Sequence, residues 1–265
     1  PSRFNNHLLT NIRQSGHRTA AQARITGTMQ SYQLIEVAGP SGVGKSTALE
    51  RMLRDPDHAA GVIGRPTLET LRPRKLDPVQ RHHLDASPYR PALDLVFHIL
   101  ARSPAPLSSR MAAMDMCQAS FLTRAALATP EDSARDDLLR GQRLVHDELV
   151  LHRAFSILPF SENRLRDARA FFNAAPLPDQ AVICIADPRT IMARIRQRGR
   201  IPNCYKGLEA ARLEILLHDL VDCGLVAQEC LTRRGVRCTV LRFDGSPDEA
   251  ALDLGRACMP ERIAA

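Results

Sequence analysis

The 265-residue chain contains no tryptophan, and aromatic residues make up only 4% of it. Rows of rings on which single-stranded bases could stack therefore have no material, and nucleic acid is not expected as a partner. No apolar run nears the roughly 18 residues that would suggest a bilayer-spanning helix, so no membrane span is expected. The seven cysteines (Cys117, Cys184, Cys204, Cys223, Cys230, Cys238 and Cys258) are scattered and include no Cys-x-x-Cys pair. That spacing supports neither a zinc site nor a disulfide framework; it suits reduced thiols in a cytoplasmic protein. Internal repeats and low-complexity linkers are also missing. Acid is absent from one region: residues 1–30 hold Arg3, Arg13, Arg18 and Arg24 but no Asp or Glu, so four of the seven net positive charges sit there. The remainder is too nearly balanced to form a nucleic-acid footprint. An acid-free, arginine-bearing start reads as a targeting presequence, a basic tail or added residues, and Met29 just before the first strand is an alternative beginning. Residues 1–30 are accordingly set apart as a peripheral extension of one domain over 31–265.

Against these absences stands one complete motif. Residues 39–46 read Gly-Pro-Ser-Gly-Val-Gly-Lys-Ser, matching G-x-x-x-x-G-K-[ST], with an apolar strand before it at 32–38 and helix formers after it at 44–54. A loop that wraps phosphate oxygens closely must lack side chains at Gly39, Gly42 and Gly44. The backbone amides of Ser41, Gly42, Val43, Gly44 and Lys45 and the positive end of the following helix then face the anion. Lys45 is expected to bridge the β- and γ-phosphates, Ser46 to give a hydroxyl to Mg2+, and Thr47 to meet the α-phosphate. The motif implies a nucleoside triphosphate, ATP or GTP, with Mg2+.

Hydrophobic residues are 44% of the chain, enough for a substantial core. Strands are expected at 32–38, weakly at 61–64, at 143–147, 181–186 and 237–243. Helices are expected at 44–54, 90–102, 109–128, 130–141, 149–158, 161–173, 188–198, 207–233 and 246–258, the 109–128 helix placing Met111, Met114, Cys117 and Phe121 on one buried face. Residues 65–88, with Pro66, Pro73, Pro78 and Pro88, read as a substrate-side loop or lid. Strands alternating with helices predict an α/β fold with a parallel sheet covered on both faces.

A second constellation follows the third strand. Asp147 and Glu148 stand where a carboxylate at a strand end would lie beside the phosphate loop. Asp147 is read as a Mg2+ ligand or as the proton acceptor for a substrate hydroxyl, and Glu148 as a substrate-side group; both also suit the start of the next helix. Arg153, six residues on, is a candidate for an acceptor anion. Residues 186–200 carry Arg189, Arg194, Arg196, Arg198 and Arg200, with Gly199 as a breaker. Arg194 and Arg198 share a helix face, and with Arg200 they are read as closing over a transferring phosphoryl group; a solvated basic helix is the alternative.

On these residues the chain resembles the P-loop kinases of the nucleoside and nucleotide kinase group, in plan the thymidylate and deoxynucleoside kinases. The phosphate loop within residues 35–47 carries most of the likeness. The stretch from Ile183 through Asp187-Pro188 to Arg200 is similar to the entrance of their LID, and residues 241–250 to their last strand and helix. The Asp147-Glu148 pair with Arg153 also resembles small kinases with an Asp-Glu-Gly-x-x-x-Arg string, Leu149 replacing the Gly. The resemblance implies a P-loop NTPase fold, a five-stranded parallel sheet flanked by helices with a LID at about 188–206. It further implies an acceptor-side segment at about 61–130 and phosphoryl transfer from ATP or GTP to a nucleoside or nucleotide-like small molecule. Arg65, Glu69, Tyr89 and Arg90, with Arg72 and Asp85, are the acceptor-side candidates. The Asp-Arg-Tyr/Phe acceptor motif of that group is absent, and Arg65-Pro66 shares only part of the Arg-Glu-Pro of thymidylate kinases. A non-nucleotide metabolite or antibiotic hydroxyl thus stays open as acceptor, as does an ATPase or switch without one. A regulatory GTPase is disfavoured because no Asn-Lys-x-Asp follows the fourth strand. The oligomeric state is left open, a homodimer included.

Overall fold

In a computed structural model of the chain the described residues are 32–64, 89–128 and 139–259. The N-terminal extension, the proline-bearing 65–88 segment and most of the helix expected over 130–141 lie outside them. Five strands form one parallel sheet: β1 (Gln33–Ala38), β2 (Val62–Ile63), β3 (Arg143–His146), β4 (Gln180–Ile185) and β5 (Arg237–Arg242), in the order β2-β3-β1-β4-β5. β1 and β4 are central and almost wholly buried, as a strand covered on both faces must be, which is why they read as apolar runs rather than alternations. This is the α/β P-loop fold expected from the sequence.

The helices are α1 (Lys45–Arg54), α2 (Pro56–Ala59), α3 (Arg90–Arg102), α4 (Leu107–Ala128), α5 (Val150–Ile157), α6 (Arg164–Ala174), α7 (Pro188–Gln197), α8 (Ala210–Arg233) and α9 (Pro247–Cys258). α1 packs on α9, α6 on α8, and α4 on α5, which itself lies against β1. Local chemistry explains several starts. Ser246 and Glu249 form a reciprocal capping box with Pro247 in the first turn of α9. Asp187 accepts from the Arg189 amide at 2.8 Å ahead of Pro188 and α7.

α5 differs, for Leu149 at its N-cap has no side-chain acceptor. Glu36 supplies one from the sheet: its Oε2 accepts from Leu151 N–H at 2.8 Å. A buried helix start needs its free amides satisfied, and this explains a carboxylate in a central strand.

Some expectations shift. The helix expected to begin at 207 starts at Ala210, after a single 3-10 turn at Asn203–Tyr205, and α2 has no counterpart in the expectation. On α4 the buried line is Ala113, Cys117, Phe121 and Arg124, while Met111 is 53% exposed and does not belong to it. All seven cysteines are free thiols.

Candidate nucleotide-phosphate site

The phosphate loop leaves the end of β1 between β3 and β4, where the chain's connections diverge to either side of the sheet. Gly39 sits at φ +145°, and a Cβ there would meet the Cys184 carbonyl oxygen at 2.1 Å, so the loop passes against the end of β4 with no room to spare. Gly42, at φ +90°, is pressed in the same way against Ile195 of α7. Lys45 folds back into the loop, its Nζ donating to the carbonyls of Gly39 and Pro40 at 3.0 Å each. Burial lowers the pKa of this ammonium, against the opposing effect of Cys184, Asp147 and Glu148. A lysine held this way is desolvated, and the loop itself fixes its direction.

Asp147 lies directly after β3, and its Oδ2 accepts from Ser46 Oγ at 2.6 Å. Two hard oxygen donors thus stand together beneath the loop. Among the described residues no group of three or more His, Cys, Asp or Glu could hold a metal unaided. The pair therefore fits Mg2+ that arrives with its nucleotide and keeps phosphate and water in its shell.

The turn at Asp147-Glu148 is braced from α4 and α5. Ser120 Oγ donates to the Glu148 carbonyl at 3.1 Å, as does Arg153 Nη2, and Arg153 Nε donates to Ser120 Oγ at 2.7 Å. Arg153 also faces the Glu148 carboxylate at 3.6 Å. It is a buried strut behind the site, and it borders neither cavity described next.

Two cavities meet at the loop. The first, about 310 Å³, extends past Thr47 and Arg194 to Phe243, Pro247 and Ala250. The second, about 300 Å³, is bordered by Ser41, Asp147, Glu148, His152 and Asn203. Gly42, Lys45, Ser46, Arg198, Arg200 and Pro202 belong to both. Arg198 and Arg200 are exposed, and their side chains have no hydrogen-bond or ion-pair partner among the described residues. Arg194 is placed differently: it donates to Val43 O at 2.7 Å and Gly245 O at 3.0 Å, tying α7 to the loop and to the start of α9. Tyr89 is buried edge-on against Phe121, and Arg90 pairs with Asp94 on the surface of α3; neither borders these two cavities. Arg65 and Glu69 lie outside the described residues.

Two residues here were not singled out as site residues from the sequence. Tyr205, fully buried, accepts from Ser41 N–H at 3.2 Å and so pins the arginine-bearing segment to the loop. His152, on α5, has Nδ1 3.1 Å from Gly39 O. Burial first, then the neighbouring cations Lys45 and Arg153, hold the His152 pKa well below its ordinary value, so the ring is neutral. Its position five residues after Asp147, on the helix leaving the third strand, was the available signal.

A family profile described as an AAA domain matches residues 34–217. The chain belongs to this family. The match takes in the AAA domain's phosphate loop, Asp147 and the arginines of α7, and ends within α8, before β5 and α9. No curated protein matches the chain. Among solved structures, the crystal structure of EHV4-TK complexed with TP4A is 13% identical over 85% of this chain and 90% of that one, with a TM-score of 0.35. That likeness is too slight to support an inference. No described helix is long and apolar enough to cross a membrane.

Proposed function

We propose that this AAA domain protein is a small-molecule kinase that transfers the γ-phosphoryl group of ATP or GTP to a nucleoside or nucleotide-like acceptor. One observation carries the reading: two cavities of similar size meet at the same lysine, serine and arginines. A protein that only hydrolyses or senses a nucleotide needs one such space; a transferase needs a second, on the far side of the transferring group. The resemblance to thymidylate and deoxynucleoside kinases suggests the acceptor class.

The division of labour follows from position. The loop amides and Lys45 hold the donor's phosphates, with the nucleoside directed toward Thr47, Phe243 and Pro247. Ser46 and Asp147 would hold Mg2+, which when bound neutralises charge between the β- and γ-phosphates. Arg198 and Arg200, bordering both cavities, stabilise charge spread over the group in transit, while Arg194 fixes the helix whose end they follow. Transfer then depends on holding donor and acceptor in line rather than on covalent chemistry by the protein.

The test is nucleoside diphosphate release measured against a panel of nucleosides, nucleoside monophosphates, sugars and aminoglycosides. Release in proportion to added acceptor, abolished in Lys45→Ala, supports the proposal. Magnesium-dependent nucleotide binding without acceptor-dependent release overturns it.

A further inference from the structure

We propose that His152 takes the proton of the phosphoryl acceptor, and that the acceptor is an alcohol, neutral or cationic, rather than a phosphate ester. The inference rests on the kinase reading above and narrows it.

A carbonyl oxygen can only accept, so the 3.1 Å contact with Gly39 O places the ring proton of His152 on Nδ1. In a neutral imidazole the other nitrogen, Nε2, then presents a lone pair. The Nδ1 contact is the one hydrogen bond of the ring among the described residues, which leaves Nε2 without a described partner, and the ring borders the second cavity. The ring is 6% exposed and anchored at Nδ1, so the direction of that lone pair is fixed by the fold. Lys45, Arg153 and His146 press on the imidazole with positive charge or dipole, and Asp147, Glu148, Arg198 and Arg200 share its cavity.

The two carboxylates nearby are committed elsewhere. Asp147 accepts from Ser46 Oγ on the metal side of the loop, and the Glu148 carboxylate is drawn toward Arg153. His152 is therefore the neutral acceptor best placed to meet a substrate O–H. The residues bordering this cavity alone are Ser41, Asp147, Glu148, His152 and Asn203. A phosphate dianion has no proton to give the Nε2 lone pair, whereas a hydroxyl does; Lys45, Arg198 and Arg200, which border both cavities, are placed for the donor's phosphates.

The step balances as follows. The acceptor oxygen forms a bond to the γ-phosphorus, the bond from that phosphorus to the β–γ bridging oxygen breaks, and the nucleoside diphosphate leaves. The acceptor's hydroxyl proton passes to Nε2, giving an imidazolium that later releases it to solvent. The incoming triphosphate offsets Lys45 and so makes room for that positive charge.

The purified full chain with Mg2+ and nucleoside triphosphate is assayed with alcohols (nucleosides, sugars, aminoglycosides) and with phosphomonoesters (nucleoside monophosphates). Alcohols are expected to turn over, and His152→Asn, whose amide can still donate to Gly39 O, should lower kcat on the order of 10^2-fold while nucleotide affinity is retained. Preferred turnover of phosphomonoesters, or an unchanged kcat in His152→Asn, overturns the inference while leaving the kinase reading standing. No acceptor-dependent turnover at all overturns the kinase reading itself. Independently, nitrogen-15 NMR of histidine-labelled wild-type protein near neutral pH should show His152 with the proton on Nδ1. A proton on Nε2 overturns the assignment without reference to any substrate.

Discussion

Glu36 makes this protein's stability fall with rising pH, the reverse of what an ion-paired carboxylate with a lowered pKa does. Its side chain is sealed in the sheet, with one carboxyl oxygen bonded to Leu151 N–H and the other, Oε1, without a hydrogen-bond partner among the described residues. Burial raises its pKa from the ordinary 4.5 to about 7, with the Leu151 hydrogen bond and the charge of Arg124 pulling the other way. Between these two values the folded chain holds a proton that the unfolded chain releases, so stability decreases as pH rises through the window. The penalty is absent below 4.5, grows up to about 7 and is constant above it. A displacement from 4.5 to about 7 amounts to roughly 3 kcal/mol at 1.4 kcal/mol per tenfold. Glu36→Gln keeps an oxygen for Leu151 and cannot ionise. Its own packing offset is independent of pH, so the quantity to follow is the difference from wild type. Urea unfolding at several values from about pH 4 to pH 8 should show the variant gaining roughly 3 kcal/mol relative to wild type across the series. A difference that stays flat with pH would refute the account of Glu36 as a desolvated acid.

Other outcomes follow from single contacts. Gly39→Ala places a Cβ against the Cys184 carbonyl at a left-handed φ; calorimetry should show a loss of about 3 kcal/mol and titration no nucleotide binding. Arg198→Ala and Arg200→Ala remove exposed, unpartnered cations; each should lower turnover on the order of 10^2–10^3 in the diphosphate-release assay without moving the unfolding midpoint. Tyr205→Phe strands the Ser41 amide that the hydroxyl now satisfies; nucleotide-free protein should lose about 1 kcal/mol in urea unfolding.

The parts legible in the sequence are those whose chemistry is local. The phosphate loop announces itself because close passage of backbone around an anion demands glycine at fixed spacing, and β1 and α1 are implied by it. The place of Asp147, directly after the third strand and beside the loop, was readable from the apolar run ahead of it. What was hidden depends on partners far along the chain. Arg194 borders the first cavity, but its bonds to Val43, 151 residues away, and Gly245, 51 residues away, could not be read from its place in an arginine-rich helix. Tyr205 reaches Ser41 across 164 residues and nothing near it in sequence hints at that. The reason for Glu36, a carboxylate inside a central strand, lies in Leu151, 115 residues on. Met111 shows a different failure: helical period identifies a face but not where along the helix its cover ends.

The stretch that defines the family stops at residue 217, yet α9 beyond it is fastened to three strands at once. Arg143 of β3 donates to Cys258 O, and Gln180 of β4 and Arg237 of β5 both donate to Ala257 O. The same helix lies on α1 and gives Pro247 and Ala250 to the first cavity. A fragment trimmed to the shared stretch would bare the back of α1 and lose Pro247 and Ala250 from the wall of the first cavity. Anyone shortening this chain for crystals or for display should cut no earlier than residue 259.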